Sequence, residues 1–487
     1  MSIMKIKENI KLILQKVYQV SKKKETPRIW LQHLVCEASG FVPGEELHIR
    51  MDEEAKEILI QNREFEDADE HDVHQVHVSS RVNKTSGALR PLVDSARESY
   101  ASIISVQDKV EICVYSLGDY SRVVVRPLRF RLFNTETLDV PSDERIRLLS
   151  IAAGCGIGTV YFRDSNYFSP VMEIELEEDS AENLKLNYPN SFLFNGDIRD
   201  CNVVAKADVA LVSLPCNQHS SLGEGEQGVF QNLALATSKI IKAAEPKIVF
   251  FENVPEYYKT RSYTDLQELI LSDFPFWVGP VKLESHDFGS IAKRERSYSI
   301  AFRHQDDMLE FRVPTPPKKV RKKKLKEFLD PKGTEHEWKS LDKWFASFNS
   351  KKEKNNAWAD RSTELTFVDE NSTVLQCIPK RYRSHSASNS YVLHPDKNQW
   401  RFLSINELRR IFGIPEDFQF SVHTPVWRIY EQIGQSACGR VFRAFANEIA
   451  TVFFKSMFKK PADKKEAVDT SMPLSMDSDG QLHLLMM

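Results

Sequence analysis

The sequence predicts an α/β fold: a doubly wound, mainly parallel sheet, preceded by a β-rich region and followed by a smaller, irregular one. Three observations predict it. Residues 142–302 alternate apolar, strand-like runs with helical stretches, the pattern of βαβ units. A glycine-rich loop, Ala152-Ala-Gly-Cys-Gly-Ile-Gly158, follows the first strand directly. Its alternate glycines let the backbone turn tightly and approach a ligand. Acids close the next two strands, Glu175 and then Asp197, and open α/β sheets bind ligands at such carboxyl ends.

Length and composition bound the rest. At about 150 residues per domain, a chain of 487 residues holds two to four. Hydrophobic residues make up 41% and charged ones 28%, as in an ordinary globular protein. Net charge is only -3, so any nucleic-acid contact must come from local basic patches. No apolar run approaches the roughly 20 residues of a membrane span, and Met1 to Lys24 carries no signal-peptide pattern. The 7 cysteines are scattered without CxxC spacing. That argues against a disulfide framework or a metal site, and for a reducing cytoplasm.

In chain order, residues 1–24 read as a basic amphipathic helix, with Ile10, Leu12, Ile13, Leu14, Val17 and Val20 among lysines. Residues 26–130 alternate short strands with turns and hint at a duplication. Phe41-Val-Pro-Gly44 leads into one strand–turn–strand unit, and Gln107-Asp108 into another. Each loosely resembles the swapped-hairpin modules of AbrB-type transcription factors, which implies a module that dimerises or touches DNA. The module is assigned to residues 1–140. A chain starting near residue 140 is expected to keep the ligand site at the glycine loop, which lies wholly beyond that point.

The α/β region spans 141–302. Its strands are Ile146–Ile151, Pro170–Glu175, Asp208–Ser213, Lys247–Phe251, Val281–Ser285 and Ser297–Phe302, with a helix from about Phe230 to Ala244. Residues 303–400 lose this rhythm. They carry the basic run Lys318–Lys326, the aromatic residues Trp338, Trp344, Phe345 and Phe348, and Lys380-Arg-Tyr-Arg-Ser-His385. Basic residues interleaved with aromatics suit phosphate and base contacts. Residues 401–455 return to helical patterns, and 456–487 read as a polar, disordered tail.

The stretch Ser213-Leu-Pro-Cys-Asn-Gln-His-Ser220 puts the Cys216 thiol on a stiff loop at the end of an apolar strand. Downstream, another buried strand delivers Glu252-Asn253-Val254 to the same edge, and Lys293-Arg-Glu-Arg296 leads into the next. In this order, over residues 146–302 and 400–450, the residues resemble the DNA cytosine-5 methyltransferase family. The resemblance implies a Rossmann-like domain that binds S-adenosyl-L-methionine. Ala153, Gly154, Cys155 and Gly156 match the family's cofactor loop. Glu175, Asp197 and Ile198 match the ribose and adenine side, and Pro215, Gln435 and Ser436 complete the implied cofactor set. Cys216 matches the nucleophile, Glu252 the acid, and Arg294 with Arg296 the Arg-x-Arg pair. Arg401 to Phe418 and Tyr430 to Gly434 match the closing motifs, which leaves 303–400 as the target-recognition region.

The implied reaction is methyl transfer to carbon 5 of a cytosine flipped out of duplex DNA, through a covalent Cys216 adduct. The implied partners are DNA and a cognate restriction or other defence protein, in the cytoplasm of a bacterial or phage-infected cell, with a dimer through the N-terminal module. Five positions depart from the family pattern: Ser150, Ala152, Asn217, Ala292 and Gln435. Two other readings compete. An RNA cytosine-5 methyltransferase would carry a Thr-Cys pair, which this sequence lacks. A non-catalytic DNA-binding regulator would rest on the N-terminal hairpins and the relaxed motif positions.

Overall fold

The computed structural model describes residues 10–66, 73–84, 86–129, 135–140, 143–215, 231–354, 363–395, 398–458, 474–478 and 480–484. Strand β1 (Lys11–Gln19) leads into the hairpin β2 (Ser21–Lys23) and β3 (Thr26–Leu31), and helix α1 (His33–Ser39) follows. Next come β4 (Glu46–Asp52), β5 (Glu57–Gln61), β6 (Val73–His77), β7 (Ser79–Val82), β8 (Leu89–Ala96), β9 (Lys109–Ser116) and β10 (Ser121–Pro127). The two strand–turn–strand units are β4–β5 and β9–β10, and they pair with each other, antiparallel, through β5 and β10. Strands β2, β3, β8 and β7 form a separate small sheet.

The helix expected in residues 1–24 is absent over the described part, where the chain forms strands β1 and β2, each in a different sheet. Strand β1 is central in its sheet. Leu14 and Tyr18 pack into one core, and Leu12 and Val17 reach the other. A strand buried on both faces needs apolar residues on both, so it reads as a near-continuous apolar run. Over nine residues such a run imitates the broad face of a helix.

The α/β region follows: β11 (Glu136–Leu138), β12 (Ile146–Ile151), α2 (Ile157–Arg163), β13 (Phe168–Glu175), α3 (Glu178–Asn187), β14 (Phe192–Asn195), β15 (Val203–Ala205) and β16 (Val209–Val212). It continues with α4 (Gln231–Ala244), β17 (Ile248–Asn253), α5 (Arg261–Ile270), β18 (Phe276–Glu284) and β19 (Glu295–Phe302). The sheet order is β18-β19-β17-β16-β12-β13-β14. Strands β12, β13, β14, β16 and β17 are parallel, and β19 is antiparallel to both neighbours. The chain winds outward from β12 to β14, then crosses back to β16. That reversal between β12 and β16 is the topological switch point, where such sheets open a ligand crevice.

The sheet does not end at β14. Strand β1 pairs with β14 in parallel and with β9 antiparallel, so the N-terminal strands continue the same sheet through β9, β10, β5, β4 and β6. A boundary at 140 therefore cuts across one hydrogen-bonded sheet.

The chain then forms α6 (Gln305–Glu310), β20 (Lys339–Ser340), α7 (Leu341–Lys354), β21 (Phe367–Val368), β22 (Tyr391–Leu393) and β23 (Gln399–Arg401). Around the small sheet β20-β23-β22-β21, Trp344, Phe367, Tyr391 and Trp400 pack ring on ring. Helices α8 (Ile405–Phe412), α9 (Val426–Gln435) and α10 (Gly439–Phe458) return to the large sheet. On α10, Phe442 and Phe445 lie 5.6 and 4.9 Å from Phe250, closing one face of the sheet. The other face is filled by Phe251, Tyr263 and Trp277.

Part of the tail read as disordered is ordered. Strands β24 (Leu474–Met476) and β25 (Leu482–Leu484) form a hairpin, and β24 pairs with β18. The edge of β18 offers unpaired backbone groups, and the Leu/Met alternation is enough to dock there. Among the described residues, no helix is long and apolar enough to cross a membrane.

One core residue makes stability depend on pH. Glu173 on β13 is buried, and desolvation pushes its carboxyl up to about 8. Lys185, nearby on α3, is pushed down to about 8 by the same cause. Since the folded pKa of Glu173 is raised, its contribution is fully present below the unfolded value near 4.5 and is lost as pH rises through about 8. Glu173→Gln should remove that slope. Thermal melts from pH 5 to 8.5 should show the variant overtaking the wild type at the alkaline end, and parallel curves would refute the assignment.

Candidate active site

The glycine loop leaves β12 at Ile151 and enters α2 at Ile157. Ala152, Gly154 and Gly156 all have positive φ, at 54, 57 and 90°. At Gly156 a side chain has no room: an added Cβ would sit 2.7 Å from Tyr188 Cε2 and 2.9 Å from Leu184 Cδ2. At Gly154 an added Cβ meets nothing within 4 Å, so the loop is open there. Gly154 N–H donates to Glu175 Oε2, and Glu177 N–H donates to Oε1, both at 2.8 Å. These two amides hold the Glu175 carboxylate at the end of β13, while burial raises its pKa. Cys155 is buried, its thiol pushed up to about 12 by desolvation, which keeps it protonated and inert.

Asp197 caps the turn after β14: it accepts from Arg199 N at 2.9 Å and pairs with the Arg199 guanidinium, whose hydrogen bond lowers its pKa. Ile198 beside it is half-buried. Between the two acids, Asn195 Nδ2 donates to the carbonyls of Glu175 and Leu176 at 3.1 Å, binding the two strand ends together. Leu176 was not singled out in the sequence, yet it is 62% exposed directly after Glu175. An apolar residue next to a strand-end acid was the available signal.

Across the switch point, Ser213, Leu214 and Pro215 form the stem of the next loop. Cys216, Asn217 and Ser220 lie outside the described residues. The stem is tied to the end of β17. Asn253 Nδ2 donates to Leu214 O at 2.9 Å, and Ser213 Oγ donates to Glu252 Oε2 at 3.3 Å. On its other oxygen Glu252 meets Arg296 Nε at 3.2 Å. Burial raises the Glu252 pKa, against the opposing pull of Arg296 and Arg294. Ser213 is read from sequence as the end of its strand but given no role there; a polar side chain closing an apolar strand was its signal.

Arg294 does not share the place of Arg296. It is buried, and it donates to Ile378 O and Gly434 O, each at 3.0 Å. It thereby pins the 363–395 region and the end of α9 to the catalytic sheet. The contact is close: a Cβ on Gly434 would lie 2.3 Å from Pro379 O. Gln435 is exposed, and Ser436 Oγ donates to Ile433 O at 2.8 Å. Instead Gln432, buried, accepts from Asn183 Nδ2 at 3.1 Å and docks α9 on α3.

The profile of the family described as C-5 cytosine-specific DNA methylase matches residues 146–451, well over half of the chain. The chain belongs to that family. As a member it is a DNA (cytosine-5-)-methyltransferase, with the Rossmann-like α/β fold of S-adenosylmethionine-dependent methyltransferases. It is 26% identical to the Type II methyltransferase M.Bsp6I of Bacillus sp. (strain RFL6) over 64% of this chain and 99% of that one. It is 24% identical to M.MspI of Moraxella sp over 52% of this chain and 59% of the other. A solved structure of an Entamoeba histolytica methyltransferase aligns with a TM-score of 0.48 at 13% identity, covering 65% of this chain and 100% of that one.

In this C-5 methylase two of the departures, Ser150 and Ala292, have local partners. Ser150 is buried and bonds Thr159 Oγ1 at 2.8 Å, which joins β12 to α2 without a charge. Ala292 pairs with Leu375 in an isolated parallel bridge. A second seam holds the 303–400 region: Arg401 donates from both terminal nitrogens to Glu407, at 2.7 and 2.8 Å, fully inside the protein. Glu407 also accepts from Asp330 N at 2.9 Å.

Proposed function

We propose that Cys216 attacks carbon 6 of a cytosine flipped from duplex DNA, with Glu252 as the acid, in a restriction-modification or related defence setting. The observation that carries this reading is the tie between Glu252-Asn253 and the stem of the loop that bears Cys216. Glu252 closes the strand parallel to β16, the strand that runs into that loop.

The residues present fit the cofactor. Glu175 has spent one lone pair of each oxygen on backbone amides and keeps the others for ribose hydroxyls. Gly154 leaves the backbone bare, Leu176 offers an apolar surface, and Asp197 stands at the adjoining strand end. When bound there, S-adenosylmethionine supplies an electrophilic methyl group. Cys216 Sγ forms a bond to carbon 6 as the 5,6 double bond shifts, and Glu252 gives a proton or hydrogen bond to nitrogen 3. Carbon 5 becomes an enamine carbon and a nucleophile. After alkylation the proton on carbon 5 leaves, the carbon–sulfur bond breaks, and the ring double bond returns. Arg296 holds Glu252 in place, and Arg294 fixes the target-side region against the site.

Residues 303–400 choose the target sequence. Leu325 is buried as an anchor within the basic run, while Lys318, Lys319, Lys322 and Lys326 face solvent. Tyr382 is buried, with Arg381 and Arg383 exposed on either side of it. The setting is supported by the Type II methyltransferases among the relatives. Bisulfite sequencing of DNA from cells expressing the protein tests the reading. One short sequence fully protected at a single cytosine is expected, and unprotected DNA alongside methylated RNA would overturn it.

A further inference from the structure

The N-terminal strand β1 flanks the cofactor half of the methyltransferase rather than a separate body. Its register with β14 pairs Leu14 with Leu193, Gln15 with Phe194 and Lys16 with Asn195. The next residue on each strand is in contact: a Cβ on Gly196 would come 3.2 Å from Val17 Cβ. Gly196 is the residue between Asn195, which ties the two strand ends, and Asp197.

Lys16 is almost fully buried and pairs with Glu178 at 2.8 Å. Glu178 is the first residue of α3, three beyond Glu175, and the Gln32 side chain lies beside the same carboxylate. The start of α3 is crowded with acids: Glu177, Glu178, Asp179 and Glu182. Arg428 from α9 faces Glu177 at 3.2 Å and Asp179 at 3.7 Å, and Lys16 faces Glu178. The amide of Glu177 is what holds Glu175 Oε1. The position of that amide depends on where α3 begins, and β1 clamps that start. The same module reaches α3 again, where His33 on α1 bonds Glu182, and it reaches the segment before α9, where Arg90 donates to His423 O at 2.6 Å.

We infer that Lys16 is a positioning residue for cofactor binding: through Glu178 it sets the turn that presents the Glu175 carboxylate. The inference rests on the proposed role of Glu175 as the ribose acid. It reverses the expectation that a chain starting near residue 140 would keep its cofactor site, because such a chain lacks β1 and Lys16 and leaves β14 an open edge.

The test uses the full chain, with S-adenosylmethionine binding measured by calorimetry, steady-state kinetics against cofactor and DNA separately, and thermal melts. Lys16→Met should raise the cofactor Kd and KM roughly tenfold, the size seen when an outer partner of a ligand-holding group is lost. The KM for DNA should move less than twofold, and Lys16→Arg should restore most of the cofactor affinity. Glu178→Gln breaks the pair from the catalytic side, which keeps the test open where Lys16→Met fails to fold. It should give the same rise, and the double variant should be no worse than either single one. Glu175→Ala is the separate arm: intact cofactor binding there would overturn the site reading itself. With Glu175→Ala inactive in binding, wild-type cofactor affinity in both Lys16→Met and Glu178→Gln would overturn the positioning role. An equal rise in the KM for DNA would overturn it too, since a general loss of structure moves both.

Discussion

Cys216→Ser is expected to lower methyl transfer by at least about 10³-fold, the scale on which removal of a nucleophile acts. A serine hydroxyl at neutral pH lacks the thiolate's nucleophilicity and leaves poorly from carbon 6. Cofactor affinity should stay at the wild-type level, because backbone amides of Gly154 and Glu177 hold the Glu175 carboxylate. Single-turnover assays with radiolabelled cofactor measure the loss. A second measurement separates the mechanism from mere damage to the loop. Duplex DNA carrying 5-fluorocytosine at the target should trap a covalent adduct on the wild type, because fluorine cannot leave as a proton does. No adduct should form on the serine variant. A variant that methylates within tenfold of the wild type would end the covalent scheme.

Glu252→Gln should cost about 10²- to 10⁴-fold in kcat, the range for a positioned general acid. Glutamine keeps the size and can still reach Ser213, but it has no proton to give. The pH profile carries the sign. Burial raises the Glu252 pKa above its ordinary value, with Arg296 and Arg294 pulling the other way. The protonated form therefore persists to higher pH than in a free glutamate. Activity that depends on it should fall as pH rises through that raised value. The variant should lose this alkaline limb while keeping its residual rate. Rates from pH 5 to 9, at saturating cofactor and DNA, decide the matter. A variant whose profile still falls with the wild-type limb would assign that limb to another group.

Much of the catalytic half was legible in the amino-acid sequence because its signals are local. A glycine loop after an apolar strand needs only neighbouring residues to be recognised, and positive φ at Gly154 and Gly156 is the conformation such glycines serve. Acids at strand ends, and Glu252-Asn253 after a buried run, are read the same way. The division of labour between the two arginines was not legible. Arg294 and Arg296 stand two apart, and only the tertiary fold sends one to Glu252 and the other to the carbonyls of Ile378 and Gly434. Those carbonyls come from segments 84 and 140 residues away, a separation no spacing rule spans.

The N-terminal region marks the same division. Its strand–turn–strand units were visible from alternation and turns, since a hairpin is a local contact. The sequence by itself thus determined the α/β core, the glycine loop and strand-end acids at its switch point, and the hairpins beside it. Only the tertiary structure decided that β1 is a strand, that it joins the two regions into one sheet, and that Lys16 faces Glu178. The physical reason is that a strand has no hydrogen-bond partners of its own. A short apolar run with lysines satisfies its backbone as a helix alone or as a strand between neighbours. The open edges of β14 and β9, supplied by distant parts of the chain, settle which.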